Sequence, residues 1–239
     1  MKTFKDALWL TRFELKSTGI QQFVLLISLL GLTIYLIRSN IILADLQLNA
    51  GLDSMFIVTL ILIPRFIRTK GFTMQKIAGD FYASPHLLHL QTLPISKRAI
   101  ALYRFFIQLI LSILVVTIVF VSIYDLVSNE VGIVHYLGSA VFWICFSTFI
   151  EHFISNGEAG LHLYNSLLWV ISYALLAVIL YFLIIFLWLP SGLVHWSFQL
   201  AHDNIVLLIA ISMIFLLLTF FSIYRFTQKM KQTDYITSR

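Results

Sequence analysis

Residues 80–98 read DFYASPHLLHLQTLPISKR, and this stretch decides how the rest of the chain is understood. It is the longest polar interruption in a sequence that is otherwise lipid-soluble. It carries its own helix punctuation. Ser84 is placed to cap a helix, because its hydroxyl can accept from the free N–H groups of a first turn. Pro85 follows at the first helical position, where a missing N–H costs nothing. The run 86–92 is then free to be helical, and Pro94 forbids continuation. Ser96 can cap the next helix, which opens with Lys97, Arg98 and Ala99 and runs into an apolar segment. The pattern predicts a helix of about two turns, held by short links between two membrane spans. Such a helix, outside the bilayer, gives a soluble partner something to push on.

The surrounding composition fixes the solvent. Of 239 residues, 60% are hydrophobic and 11% charged, where a soluble domain has about 25% charged. Mean hydropathy is +0.93. Long apolar runs point to membrane-spanning helices rather than a barrel. The fold class expected is an all-α membrane protein forming one domain over 1–239. The single cysteine, Cys145, lies inside an apolar run and reads as a small buried side chain.

Working outward, residues 1–19 predict an amphipathic helix lying on the membrane. Phe4, Ala7, Leu8 and Leu15 fall on one face; Lys5, Arg12 and Lys16 fall on another, with Trp9 beside them. Basic residues next to an aromatic suit anionic headgroups, so Lys5, Trp9, Arg12 and Lys16 are the expected interfacial anchor. Six spans follow, at 20–37, 51–67, 99–124, 131–150, 163–189 and 205–226. Residues 41–53 read as an outer loop and 69–79 as a basic inner stretch. Residues 190–204 read as an outer segment, with Gly192 and Trp196 within it.

Charge sets the orientation. With both termini cytosolic, the inner segments hold four Lys and Arg in 1–19, seven in 65–104 and four in 225–239, leaving only Arg38 of the 16 outside. The opposite orientation would break the positive-inside rule. The net charge of +5 is thus explained by topology and implies no nucleic-acid partner. The expected location is a plasma membrane, crossed several times.

Catalytic motifs are sparse. No G-x-x-x-x-G-K-[ST] loop occurs, so nucleotide chemistry would come from another chain. No H-E-x-x-H occurs, and His86 with His89 lacks a third ligand type nearby, so no metal site is expected. Carboxylates are nearly absent from the apolar runs, which argues against an ion-coupled carrier. Phe142, Trp143, Phe146 and Trp169 could line a path for an amphipathic cargo, or could simply face lipid and neighbouring helices.

The run Leu87–Ile100, LLHLQTLPISKRAI, resembles the permease subunits of ABC-2 type exporters, whose leucine-rich helix is followed by a T/L-P-[IL]-S-[RK]-R segment and an apolar span. The likeness covers the whole chain in topology and about 20 residues in motif. One departure concerns the acidic residue that the family often places just ahead of the leucines: here Asp80 lies further upstream, and histidines occupy the helix. The resemblance implies that 80–98 is a coupling region docking on an ATPase subunit. Phe81, Tyr82, Ser84, Pro85, His86, Leu87, Leu88, His89 and Leu90 would form the contact. It implies two such ATPases, which hold ATP and Mg, and a second permease, either a copy of this chain or a related paralogue. Small size suggests similarity to bacterial exporters of phenol-soluble modulins or antimicrobial peptides, with an amphipathic peptide or lipid-like substrate. In such exporters the outer segment between spans five and six narrows an outer gate, which implies that role for Pro190, Gly192 and Trp196. The chain itself would carry no cofactor and no catalysis. Two readings from other classes stand beside it. One is a membrane-embedded enzyme using Glu151, His152 and His162; the other is a peptide-binding immunity or scaffold protein.

Overall fold

The structure, a computed structural model, describes residues 2–44, 50–68, 70–73, 75–78, 81–127, 131–155, 161–162 and 192–233. The expected fifth span at 163–189, with Trp169, and Pro190 lie outside the described residues. Eight α-helices are described: α1 (Lys2–Ser17), α2 (Ile20–Ala44), α3 (Ala50–Ile67), α4 (Pro85–Thr92), α5 (Lys97–Val127), α6 (Ile133–Ser155), α7 (Leu193–Asp203) and α8 (Ile205–Thr233). Among the described residues, four segments are long and apolar enough to cross a membrane: Ile20–Ile42, Lys97–Val127, Ile133–Ile154 and Ile205–Met230. The chain is thus a helical protein of multi-pass membrane character. The helix α3 coincides with the expected second span.

The helices run further than the polar residues at their ends suggested. The first span was expected to stop at 37, yet α2 continues to Ala44. Two side chains that would otherwise break it fold back onto its own carbonyls: Ser39 Oγ donates to Tyr35 O (2.8 Å) and Asn40 Nδ2 to Leu36 O (2.9 Å). Arg38 is engaged sideways, its guanidinium gripping both oxygens of Asp125 on α5 at 2.8 Å. With those groups satisfied, the apolar run can stay helical beyond the expected boundary, so the expected loop at 41–53 begins later and is shorter.

At the centre of the described bundle is α5. Half of its apolar window is buried, against 17% for α2. Ile107, Leu111, Val115, Val119 and Ile123 recur along one flank and pack against α2, α3 and α6. The same core takes in Cys145's neighbours Phe142 and Trp143; Cys145 itself is buried. A second, smaller core lies at the end of the bundle where α1, α4, the start of α5 and the end of α8 converge. Residues Ile20, Phe23, Val24 and Ile27 on α2 stay exposed, as a lipid-facing surface requires.

A small antiparallel sheet departs from the all-helical expectation. Strands β1 (Gln75–Ala78) and β2 (Phe81–Ala83) form a hairpin, and β3 (Leu161–His162) adds to its other edge. Backbone register places Phe81 opposite His162 and Tyr82 opposite Leu161. The basic stretch 69–79 is therefore a 3-10 turn (Lys70–Phe72) and a strand, not an open linker. Of the two links that flank α4, only the one to α5 is short.

Candidate functional site at the charged end of the bundle

The helix predicted between the two prolines is present as α4, with Pro85 in its first turn. Its start is built differently from expectation. Ser84 has the extended backbone of a cap, but its hydroxyl makes no cap bond; it donates instead to Gly71 O at 3.2 Å. The hydroxyl thus pins α4 to the preceding 3-10 turn, and Pro85 leaves one fewer N–H to satisfy. Ser96 does cap the next helix, accepting from Ala99 N at 3.2 Å.

The leucines face inward. Leu87 and Leu90 are 1% and 2% exposed and join Ala7 and Leu10 of α1, Ile100 and Tyr103 of α5, and Phe226 and Met230 of α8. They were expected to anchor a partner; the structure uses them to hold α4 to its own chain. A two-turn helix has too few internal hydrogen bonds to persist alone, so this buried face is what keeps it formed. Burying each leucine contributes about 2 kcal/mol. The outer face is a different set. His89, Thr92, Leu93 and Pro94 are exposed, and Pro85, His86 and Leu88 are half-buried. Phe81 and Tyr82 belong to the strand β2 rather than to this face.

His86 is held by aromatic rings. Its imidazole stacks on Phe13 of α1 (centroids 5.8 Å apart) and lies 4.3 Å from the Phe72 ring. Burial between them pushes its pKa below the ordinary histidine value; the nearby Glu14 carboxylate pulls the other way, and His89 and Arg68 add to the lowering.

Directly behind this stack is an ion cluster that sequence reading missed. Glu14 of α1 is buried. Its Oε1 lies 2.6 Å from Arg68 Nε, just after α3, and its Oε2 lies 3.7 Å from Arg104 Nη1 of α5. The Tyr103 hydroxyl donates to the same Oε2, and Arg68 Nη2 donates to Phe72 O at 2.8 Å. One carboxylate thereby joins α1, the end of α3 and α5. The signal was available: Ala7, Leu10, Thr11 and Glu14 fall on one helical face. On the face expected to lie on the membrane, Ala7 is buried and Phe4, Leu8 and Leu15 are exposed, as are Lys5, Trp9, Arg12 and Lys16. Tertiary packing against α5 chose the adjacent stripe.

At the opposite end, α7 occupies 193–203 of the expected outer segment. Gly192 precedes it with φ +85°, a conformation that side chains disfavour. A Cβ there would also sit 3.0 Å from Asp53 Oδ2. Asp53 reaches across from α3 to accept from Leu193 N (2.6 Å) and Val194 N (2.8 Å). Its carboxylate is thus a cap supplied by another helix, where the dipole favours negative charge. Trp196 is half-buried against Phe142. Phe142 and Trp143 are packed against neighbouring helices, Trp143 Nε1 donating to Ser197 Oγ at 3.0 Å. Phe146 stacks on Phe142 and meets Phe215 edge-on. Among the described residues, these aromatics pack on one another and on neighbouring helices.

Of the residues considered for an embedded enzyme, Glu151 and His152 both meet Gln108 of α5. His152 Nδ1 contacts Gln108 Oε1 at 2.8 Å, and Glu151 offers its backbone carbonyl to Gln108 Nε2 at 3.4 Å. His162 lies on β3, paired with Phe81. Comparison with protein-family models, with curated proteins and with solved structures finds no match to this chain.

Proposed function

We propose that the chain is the six-span permease subunit of an ATP-driven exporter, with α4 as the helix on which a separate ATPase pushes. The observation that supports this is the way α4 is built: a two-turn helix whose Leu87 and Leu90 are buried in a core shared with α1, α5 and α8, with His89, Thr92, Leu93 and Pro94 left exposed. A load applied to the exposed side passes into that shared core, because close-packed interfaces transmit displacement. The Glu14 cluster carries it on to α3. Two ATPase subunits would close on ATP and Mg, and paired permeases, two copies or two paralogues, would shift their helices to pass an amphipathic peptide or lipid-like substrate. Both termini and α4 would face the cytosol of a bacterial cell, as the clustering of Lys and Arg at this end requires.

The docking face follows from the exposed side of α4, not from the leucines first expected. Coexpression with a candidate ABC ATPase subunit, followed by co-purification and vanadate-sensitive ATP hydrolysis in vesicles, tests it. The double variant His89→Glu and Leu93→Asp should lose pairing while keeping the wild-type melting temperature. Undiminished pairing and hydrolysis would sink the assignment.

A further inference from the structure

A cleft of about 560 Å³ opens between the start of α5 and the last turns of α8, lined by Lys97, Arg98, Phe220, Ile223, Tyr224, Thr227 and Gln228. The five α8 residues recur at i, i+3, i+4, i+7 and i+8, so they form one continuous helix face. That face changes character along its length. Phe220 and Ile223 are apolar, Tyr224 is amphipathic, and Thr227 with Gln228 is polar. The change occurs over about 12 Å, eight residues at the rise of an α-helix. The polar part lies level with Lys97, whose Nζ reaches toward Met230 O at 3.4 Å. Arg98 beside it is exposed. Among the described residues that line the cleft there is no carboxylate.

A slot with two cations and hydrogen-bonding groups at one end and the exposed aromatic rings of Phe220 and Tyr224 at the other, with Ile223 buried beneath them, matches one ligand chemistry. From this charge complementarity and polarity gradient, we infer that the cleft binds an anionic phospholipid from the leaflet at the charged end of the bundle. The phosphate lies against Lys97 and Arg98. The glycerol and remaining headgroup oxygens reach Thr227 and Gln228. One acyl chain follows Tyr224 and Phe220, which are 59% and 55% exposed. The inference rests on the membrane placement proposed above and not on the ATPase. Such a lipid would splint α5 to α8 next to the core that holds α4.

The test uses the full-length chain in detergent, titrated with dioleoylphosphatidylglycerol or dioleoylphosphatidylcholine and read by native mass spectrometry. Wild type should prefer the anionic lipid. The pair Lys97→Gln and Arg98→Gln should weaken its binding by about thirtyfold, from two surface cations. Thr227→Trp, which fills the cleft and leaves charge unchanged, should weaken both lipids. Lys76→Gln, a charge removed from β1, should change neither. The site is overturned if the two lipids bind equally, if Thr227→Trp binds like wild type, or if glycerol 3-phosphate alone displaces the lipid at equimolar concentration. Detergent has no leaflets, so loss of ATPase pairing or a reversed orientation would leave these results standing.

Discussion

The carboxylate of Glu14 answers two guanidinium groups and a phenol in a site almost without solvent. Desolvating such charges is costly, and removing one member leaves the others in low dielectric without the charge they were arranged around. Glu14→Gln should therefore lower stability by about 3 kcal/mol, seen as a lower melting temperature in detergent. Loss of less than about 0.5 kcal/mol, the scale of a surface change, would contradict the burial described. His86 carries a different prediction. Its imidazole is held neutral by burial, so its pKa is lower folded than unfolded. Unfolded chains then bind more protons between the folded value and about 6.5. The packing of α4 should be fully stable above that range and weaken as pH falls through it. His86→Phe should remove this part of the pH dependence; melting curves at pH 5.5 and 7.5 that shift equally for both proteins would refute it. Neither residue's partners were legible in sequence. Glu14 belongs to no motif, and the stripe of α1 that α5 covers is fixed by tertiary packing.

Punctuation was the most readable level for α4, and capping chemistry the least. Pro85, Pro94 and Ser96 marked the two helix boundaries where the structure has them, since proline geometry is local. The role of Ser84 was not local: its hydroxyl went to Gly71. Likewise α7 takes its cap from Asp53, 139 residues earlier in the chain than the Gly192 that precedes it. Sequence patterns report periodicity well and long-range partners poorly. This element makes its own prediction. Gly192→Ala should cost about 1–3 kcal/mol, because both the backbone region and the Asp53 contact oppose a Cβ. Asp53→Ala should cost about 1–2 kcal/mol through the uncapped N–H groups. Thermal unfolding measures both, and the double variant should cost less than their sum, since they disturb one contact.

Across the molecule, the two ends of the bundle differ in charge. Glu14, Arg68, Arg104, Lys97 and Arg98 gather where α1, α4, α5 and α8 meet, whereas Arg38 pairs with Asp125 at the far end. Cysteine placed at position 98 should be labelled only after cells are opened, and cysteine at position 204 from outside; the reverse pattern would overturn the proposed orientation. Long apolar runs made the described spans legible, as hydrophobic length is a property of sequence alone. The strands escaped notice because short polar segments carry little periodicity. Their pairing has a geometric outcome. From Phe81 the chain passes through α4, α5 and α6 and comes back to bond with itself at His162. The backbone is therefore fastened into a hoop, with α5 and α6 as its uprights and the little sheet as its clasp. Those strands tether the two uprights to each other at the clasped end, and the far rim has no such tie among the described strands.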